Sequence, residues 1–595
     1  MNILYIITIL AVYTLFMLIR KTEKKQNLIG WLAITAILIL CYNILIGIIL
    51  TFLNQLCTLL NLSICNAIVI AALSAVLIKT KKIQQYSVKI SDIIFAVALL
   101  IFIAVIAYVE YGFPFKIKYK ITDGSTHYFY AEQFYETSTL LYKIENNDIY
   151  NLYDSDFRLP GAYINEGILF KAFDKIIPKI DLFILFDLFI AYLSGILFYH
   201  LLNTHIAKEN KKLQIISAII SVMYVFGYQI NSMLYGFIYL SLAIDIIIAF
   251  ILIMSNYENR QIPRKIALPI LSLLSFGIFF SYAYFIPIIY IAIIVKIIAK
   301  YIIDEEAVIS EENILTIAWT IINPLILGAT YFIILPSMRG IESEISTLML
   351  DGEIYKNAIT NLIAFIPIFI AGIIVAIKNK NKQINYSVIL FILSILFVLT
   401  MFTGNKINLV SEYYCYKAYY IIWPLALYIA YKIIISILEK EKKAFKTGTY
   451  IYISIYAVAI IISTVMLKDI KINNIFNHNA TIITDGKYLL KREQLKLIEE
   501  VQNKLPNEET YVLSSKYEGR MKWMGILFDK PLIYTDIIEG EVITVERWLD
   551  EKSEKYYVAY YEEYDVANKE PNLDDNSEQY SIIYNDEYGF ILERK

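Results

Sequence analysis

Long apolar stretches dominate this sequence, and they restrict its fold more than any other feature. About fourteen stretches approach the ~20 apolar residues that an α-helix needs to cross the hydrocarbon core of a bilayer. They are residues 1–19, 29–53, 62–78, 92–109, 182–202, 213–230, 233–254, 266–281, 283–302, 313–335, 358–377, 385–403, 416–438 and 448–467. Hydrophobic residues make up 58% of the chain and charged residues 18%, whereas soluble domains carry about 25% charged residues. The sequence therefore predicts a polytopic α-helical membrane protein.

The two stretches 266–281 and 283–302 leave two alternatives open. The tripeptide Phe280-Ser281-Tyr282 lies between them and interrupts the apolar pattern only briefly. It is either a tight turn between two short spans or a break within one long helix. The number of spans depends on this choice.

Basic residues concentrate in alternate loops. They follow the first, third, fifth, seventh, eleventh and thirteenth stretches, at residues 20–25, 79–82, 208–212, 260–265, 378–382 and 440–446. Loops rich in Lys and Arg remain in the cytoplasm. We therefore expect the N-terminus, the loop 110–181 and the tail 468–595 outside the membrane. The loop 303–312 is an exception on the cytoplasmic side, because it is acidic.

The charge distribution divides the chain further. The tail carries 17 basic and 26 acidic residues, while the whole chain has a net charge of −2. This balance gives no reason to expect nucleic acid as a partner. We predict a four-span segment (1–109), an extracytoplasmic loop with juxtamembrane helices (110–181), a ten-span membrane domain (182–467) and an extracytoplasmic domain (468–595).

The tail reads as a small α/β domain. Its pattern predicts an amphipathic helix over 488–505, short strands near 511–513, 532–534 and 556–560, and a terminal hairpin that joins 581–584 to 590–593. It contains no cysteine, so it folds without disulfides, which fits a bacterial plasma membrane protein. Its sequence has no Gly-rich phosphate loop, no nucleophile elbow and no paired-Cys metal motif, so we expect a support or recognition module and not the catalytic part.

The predicted sidedness can be tested with a reporter fused after Lys595. We expect an enzyme that is active only outside the cytoplasm to be active at this position. We expect a reporter that is active only inside to be silent there. The opposite result would invert the whole predicted topology.

The outside loop 110–181 carries the best candidates for chemistry. Its segment 122–144 has apolar residues at helical spacing and is rich in aromatic residues, which suits a helix at the membrane surface. Asp123 and His127 are one turn apart and share a face of that helix, and Glu132 follows. A carboxylate there could act as a general base for a hydroxyl group. The alternative is that Asp123, or Thr122 before it, only caps the helix.

A resemblance to a known superfamily rests on several short motifs. The loop opens with Asp123-Gly124-Ser125-Thr126-His127, continues in an aromatic helix and reaches Arg158-Leu159-Pro160-Gly161-Ala162-Tyr163. Together with the segments 235–237, 280–282 and 412–417, this succession resembles the bacterial polytopic glycosyltransferases of the GT-C superfamily. In those enzymes an acidic residue of the first large outside loop is essential for transfer, and the donor is a polyprenyl-phosphate-linked sugar.

The resemblance implies an enzyme that transfers a sugar to an envelope glycan or lipid acceptor at the outer face of the membrane. Asp123 and His127 would then be catalytic, and the substrate-binding candidates are Arg158, Lys417, Tyr413, Tyr414 and Glu132. The loop opens with a single Asp where many members have paired acidic residues, so the resemblance leaves a requirement for a divalent cation open.

Two of these candidates have structural alternatives. Lys417 lies among tyrosines near a predicted outer membrane face, where it could bind a lipid phosphate as a point charge or simply extend its ammonium to water. Arg158 could bind a phosphate or pair with Asp154 or Asp156. Sequence spacing does not decide between these roles.

Asp245 lies near the middle of a predicted span, where a carboxylate is functional by default or is buried as a neutral, hydrogen-bonded group.

Deep charges of this kind would be expected in a transporter or flippase for lipid-linked glycans, which is the first competing function. A glycan polymerase would share the predicted topology. A non-catalytic envelope assembly protein would use the tail as a binding module and would not need Asp123.

Overall fold

The fold was analysed in a computed structural model of the whole chain. It describes residues 2–19, 21–112, 115–118, 122–140, 159–204, 210–304, 310–334, 348–349, 352–357, 365–378, 385–440, 446–455, 458, 474–484, 488–490, 495–506, 509, 511–514, 523, 526–527, 533–534, 543–561 and 578–595. The chain forms two compact units. The first comprises residues 1–106, 131–140 and 157–484, and the second comprises 107–130, 141–156 and 485–595.

Helices make up nearly all of the described part of the first unit. In chain order the helices named in the described ranges are α1 (Asn2–Leu18), α2 (Leu28–Phe52), α3 (Leu59–Thr80), α4 (Ile90–Tyr111), α5 (Thr122–Thr137), α6 (Gly161–Phe173), α7 (Lys179–Asn203), α8 (Lys211–Tyr224), α9 (Ile230–Leu234), α10 (Ile238–Glu258), α11 (Arg264–Tyr282), α12 (Ile286–Asp304), α13 (Glu311–Ile317), α14 (Asn323–Ala329), α15 (Ile366–Lys378), α16 (Tyr386–Lys406), α17 (Glu412–Lys417), α18 (Tyr419–Lys440), α19 (Ile475–Thr484), α20 (Leu495–Lys504) and α21 (Val545–Glu551). Short π-helical segments at Val225–Gln229, Ala318–Ile322 and Thr330–Ile334 join or follow α8, α13 and α14.

The helices α7 and α10 form the centre of the first unit. Both are apolar around most of their circumference, and most of their residues are buried. A helix that is hydrophobic on all sides is stable only when other helices surround it or when it lies in lipid. The helix α3, in contrast, exposes large apolar side chains such as Ile68 and Ile78. This arrangement has a protein-packed centre and an apolar periphery suited to lipid.

Ten segments in the described part of the chain are long and apolar enough to cross a membrane. One of them, Arg264–Ile302, contains both α11 and α12. The shorter apolar helices α1 and α15 coincide with two further predicted stretches, and residues 446–455 form the helical start of the last one. The prediction of a polytopic helical membrane protein is confirmed, while the count of fourteen spans stays a prediction.

The segment 266–302 contains a tight turn between two antiparallel helices. A single 3₁₀ turn, Ala283–Phe285, separates α11 from α12. Lys296, near the middle of α12, forms an ion pair with Glu258, the last residue of α10. The hydroxyl of Ser275 in α11 also donates a 3.2 Å hydrogen bond to that of Tyr290 in α12, so α12 runs back beside α11. Of the two alternatives that the sequence left open, the structure shows two helices and not one long broken helix.

Loops that were predicted on the same side of the membrane contact one another. The strands β1 (Gln26–Asn27) and β2 (Tyr86–Ser87) pair in parallel and join two of the basic loops. The backbone N–H of Cys57 donates a hydrogen bond to the carbonyl of Ser138, which joins two predicted outside loops. These contacts agree with the alternation of the predicted topology. Which side is cytoplasmic stays a prediction.

The acidic loop that breaks the positive pattern also has a structural explanation. Glu311, at the start of α13, accepts a 2.8 Å hydrogen bond from the guanidinium of Arg264 at the start of α11. A loop with acidic side chains is thus paired with a neighbouring basic loop. Since the pair is partly exposed, it adds little stability, but it shows that both loops lie at the same end of the helices.

The second unit is built on a five-stranded mixed sheet. Its strands are β5 (Tyr511–Ser514), β6 (Ile533–Tyr534), β7 (Tyr556–Tyr560), β8 (Tyr580–Asn585) and β9 (Gly589–Arg594), in the order β6-β5-β7-β9-β8. β5 pairs in parallel with β6 and β7, whereas β9 pairs antiparallel with β7 and β8. The Trp548 ring of α21 packs against Tyr557 of the central strand. The predicted α/β character and the terminal hairpin are confirmed.

The predicted helix over 488–505 is wrong in its first part. Residues Tyr488–Leu490 form β4, which pairs antiparallel with β3 (Ile117–Lys118) from the start of the outside loop. Among the described residues of that region, Leu495–Lys504 form the helix α20. The apolar spacing of 488–490 fits either structure, and the partner strand, about 370 residues earlier in the chain, decides between them.

The helix α19 lies in the predicted tail but packs within the first unit. Asn479 donates hydrogen bonds to the carbonyls of Phe226 and Gly227 in the π-helical segment after α8. The compact units therefore divide near residue 484, and the predicted boundary at residue 468 falls outside the described residues.

Candidate functional site

Lys417 is a buried cation in the last turn of α17. The residue is only 3% exposed, and its Nζ donates a hydrogen bond to the hydroxyl of Tyr239. The same Nζ lies 4.3 Å from the ring centroid of Phe237 and 3.9 Å from that of Tyr413. Cation–π contacts at such distances stabilise a desolvated ammonium group, as does the C-terminal end of a helix. A lysine that extends to water would be exposed, so the burial argues against that alternative.

The rings around Lys417 come from three separate segments. Phe237 contacts Tyr413 with ring centroids 5.9 Å apart, and Tyr239 contacts Tyr282 at 5.3 Å. We call this set, together with the ammonium, the Lys417 cluster: Phe237, Tyr239, Tyr282, Tyr413, Tyr414 and Lys417. The three short segments on which the sequence resemblance partly rested thus meet in space. Each segment was predicted to lie at the outer end of a span, so their contacts are consistent with a common depth in the membrane.

A hydrogen-bonded chain holds α9 and α18 beside the cluster. The hydroxyl of Tyr420 donates to Asn231 at 2.6 Å, and the Asn231 amide donates to Asn479 at 2.7 Å. Tyr420 also contacts the ring of Phe237, with centroids 6.3 Å apart. Buried amide networks of this kind fix side-chain positions because each lost hydrogen bond leaves a polar group unsatisfied. This hydrogen-bonded network therefore helps to fix the positions of the aromatic rings around Lys417.

Asp123 lies in the first turn of α5, in the second unit. The helix begins at Thr122, so both residues predicted as alternative caps lie inside it. Asp123 is half-buried, while His127, one turn later, is buried. Asp123 and His127 share a helix face as predicted, and their chemical roles stay predictions.

The tail domain holds the chain on both sides of Asp123. Before it, β3 pairs with β4. After it, the ring of Tyr128 contacts Trp523 with centroids 5.6 Å apart, and both rings are almost fully buried. The tail therefore positions the start of α5, which fits the sequence interpretation of the tail as a support module.

A double-mutant cycle can measure this support. Tyr128→Ala and Trp523→Ala are each expected to lower the thermal stability of the purified protein, since truncating a buried Trp costs about 3–5 kcal/mol. Because the rings touch, the double variant should lose about 0.5–1.5 kcal/mol less than the two single losses together. Trp523→Ala combined with Tyr584→Ala on the edge strand β8 is the control and should be additive. If the losses in free energy of unfolding caused by Tyr128→Ala and Trp523→Ala simply add in the double variant, the contact between the two rings contributes no coupling free energy.

The other predicted site residues lie elsewhere. Glu132 forms an ion pair with Lys179 at the start of α7, so its carboxylate is already paired within the first unit. Arg158 and its proposed partners Asp154 and Asp156 lie outside the described residues. The structure therefore brings together Lys417, Tyr413 and Tyr414, and separately Asp123 and His127.

Asp245 has hydrogen-bond partners that the sequence could not identify. Its Oδ1 accepts hydrogen bonds from the hydroxyl of Ser194 and from the Gln229 amide, the latter at 3.0 Å. Gln229 also donates to the Tyr224 hydroxyl at 2.6 Å. The carboxyl group thus belongs to a buried polar cluster between α7, α8 and α10. Its other oxygen, Oδ2, is buried with no hydrogen-bond partner among the described residues, so the carboxyl group is only partly satisfied and both alternatives stay predictions.

Sequence reasoning missed Glu166 on α6. Glu166 is fully buried, and neither of its carboxylate oxygens has a hydrogen-bond partner among the described residues. Burial, and then the neighbouring charge of Asp187, raise the pKa of Glu166 well above its ordinary value. The signal was present in the sequence, since Glu166 is the single charged residue between Arg158 and Lys171. A neutral buried carboxyl group near the outer end of α7 is a candidate for proton transfer.

A metal site was left open by the sequence. In the described ranges no group of three or more His, Cys, Asp or Glu side chains could hold a metal ion. The pair Glu166 and Asp187 provides two carboxyl groups only.

Comparison with protein-family models finds no match to this chain, and comparison with curated proteins finds none. Among solved structures, the chain is similar to ArnT from Cupriavidus metallidurans bound to undecaprenyl phosphate, with 8% identity, 84% of this chain and 97% of that chain covered, and a TM-score of 0.46. It is also similar to the Archaeoglobus fulgidus oligosaccharyltransferase tethered with an acceptor peptide, with 11% identity, coverage of 79% and 69%, and a TM-score of 0.43. These are partial likenesses in the path of the chain.

Proposed function

We propose that this chain is an integral membrane glycosyltransferase that moves a sugar from a polyprenyl-phosphate donor to an envelope glycan or lipid acceptor at the outer face of the membrane. The Lys417 cluster carries this proposal. It places one buried cation among aromatic rings at the predicted outer ends of three spans. An ammonium group matches a lipid phosphate, and aromatic faces suit the apolar sides of a sugar or a prenyl chain.

In the proposed reaction the acceptor hydroxyl attacks the anomeric carbon of the donor sugar. The new bond joins the acceptor oxygen to that carbon, and the bond from the carbon to the phosphate oxygen breaks. Asp123 accepts the hydroxyl proton, and the polyprenyl phosphate leaves with the bonding electrons. His127 lies one turn from Asp123 and orients that carboxylate.

Lys417 stabilises the negative charge of the phosphate throughout this reaction. In the structure its ammonium donates to Tyr239, and we infer that the donor phosphate exchanges with that hydroxyl as its partner. A phosphate places a full negative charge opposite the ammonium, which the neutral hydroxyl of Tyr239 does not. The exchange is therefore favourable once the phosphate enters the low-dielectric surroundings of the rings.

The proposal can be tested with the purified full chain in proteoliposomes. The donors would be a panel of radiolabelled polyprenyl-phosphate sugars, and the acceptor an envelope extract from the source cells. We expect at least one donor to release free polyprenyl phosphate with transfer of its label to the acceptor. Heat-denatured protein is the control for spontaneous hydrolysis.

The competing functions give different results in the same vesicles. A flippase would move the labelled lipid between leaflets without releasing polyprenyl phosphate. A non-catalytic assembly protein would do neither. Absence of transfer from every donor, with donor movement intact, would overturn the glycosyltransferase proposal. The hydrogen-bonded state of Asp245 gives no observation in favour of a transport function.

A further inference from the structure

A second site of the first unit lies away from the Lys417 cluster. It is an open cavity of 340 Å³ between the ends of four helices, α1, α3, α5 and α6. Its polar lining includes Asn2, Thr58, Glu136, Lys171, Asp174 and Lys175. The volume is near the lower end of the range for small-ligand sites. All four helix ends were predicted to lie at the outer face of the membrane.

The lining pairs two cations with two carboxylates. Lys171 donates a 2.7 Å hydrogen bond to the hydroxyl of Ser138, and partial burial lowers its pKa to about 8. Lys175 is exposed at the rim. Asp174 accepts a 2.6 Å hydrogen bond from the Tyr135 hydroxyl, and Glu136 lies 3.8 Å from Lys179. The cavity therefore offers positive and negative groups within one small volume.

Large apolar side chains adjoin the lining residues along the chain. Ile3 follows Asn2, Leu60 follows Leu59, and Ile176 follows Lys175; these side chains are 73%, 44% and 78% exposed. In a membrane protein such exposed residues at helix ends face the acyl chains or their boundary with the headgroups. A ligand with an apolar tail would cover them, whereas a soluble anion would leave them as they are.

We propose that this cavity binds the headgroup of a zwitterionic phospholipid with a primary ammonium group, of the phosphatidylethanolamine class. The phosphate pairs with Lys171 and Lys175, and the ammonium pairs with Asp174 and Glu136. The acyl chains run along Ile3, Leu60 and Ile176. A headgroup that carries only negative charge could pair with the two lysines, but it would have no positive group to pair with the carboxylates of Asp174 and Glu136. This site is independent of the proposed sugar transfer.

Native mass spectrometry of the detergent-purified full chain tests the proposal. The protein would be titrated with phosphatidylethanolamine, phosphatidylcholine, phosphatidylglycerol and soluble phosphoethanolamine. We expect phosphatidylethanolamine to bind most tightly, because the quaternary ammonium of phosphatidylcholine cannot donate hydrogen bonds. Lys171→Gln with Lys175→Gln should weaken binding about tenfold or more, as expected when charge-assisted contacts are lost.

The matched control is Lys211→Gln with Lys212→Gln at the start of α8, a pair of exposed lysines at the predicted cytoplasmic end. It should bind phosphatidylethanolamine like the wild type. If the Lys171 variant folds poorly, Lys175→Gln alone serves, since that side chain is exposed, and Asp174→Asn should reduce the preference for phosphatidylethanolamine over phosphatidylglycerol. Equal affinity for these two lipids in the wild type would overturn the zwitterionic assignment. Soluble phosphoethanolamine binding as tightly as the lipid would overturn the membrane source.

Discussion

Asp123→Asn is expected to lower the rate of sugar transfer by about 10²–10⁴-fold, the usual effect of removing a general base. The asparagine amide cannot accept the proton of the acceptor hydroxyl, although it has nearly the same size. It remains suited to a helix N-terminus, so α5 should still begin at Thr122. The measurement is initial transfer rate at saturating donor in proteoliposomes, together with protein yield and membrane insertion.

Asp181→Asn provides a matched control for this change. Asp181 is also an acidic residue in the first turn of a helix, α7, in the predicted outside region. Its substitution should leave the transfer rate within about twofold of wild type, as surface changes away from a site usually do. A wild-type rate for Asp123→Asn would contradict the proposed base. The base would then have to be sought at Glu132, Asp154 or Asp156.

Lys417→Met is expected to raise the donor concentration needed for half-maximal rate by roughly 10–100-fold. That range corresponds to the loss of one hydrogen bond to a charged group, about 1.5–3 kcal/mol. Methionine keeps the length of the side chain and tolerates the apolar rings of Phe237 and Tyr413. Lys417→Arg should retain part of the activity because it keeps the charge, though its planar group fits the rings differently. Steady-state kinetics with varied donor separates the two variants.

Lys406→Met is the corresponding control. Lys406 ends α16, lies in the same predicted outside loop and is exposed. It should show wild-type kinetics. Identical donor dependence for Lys417→Met and wild type would leave Lys417 with a packing role only. In that case Asp123→Asn could still abolish transfer, so the two results distinguish failure of the phosphate contact from failure of the whole proposal.

Much of the membrane architecture is predictable because the signal is local. A span needs about twenty consecutive apolar residues, and helix hydrogen bonds are satisfied within the same segment. The boundaries of α2, α7 and α10 accordingly lie within a few residues of the predicted ones. The strands β7 and β9 were also predictable, since short runs rich in aromatic and β-branched residues are typical of a strand.

The candidate site was less predictable because its contacts join distant segments. Lys417 could be named from the sequence, but its partner Tyr239 lies 178 residues away. The partners of Asp245 likewise come from α7 and from the segment after α8. The strand β4 was mistaken for helix for the same reason. Hydrophobic periodicity describes one segment at a time. In a single sequence it does not show which distant segments contact each other.

The π-helical turn at Val225–Gln229 carries one more consequence. Such a turn holds one residue more than a regular helix, so everything beyond it is rotated by about 100° relative to an uninterrupted α-helix. Gln229, at its end, donates its hydrogen bond to Asp245 with that rotation in place. A deletion of one residue here would leave a span of nearly the same length and hydropathy, but with its polar side chain turned away from the carboxyl group. The number of residues in this span therefore determines the direction of the Gln229 side chain. We expect related chains to keep the length of this segment more strictly than the identity of each residue.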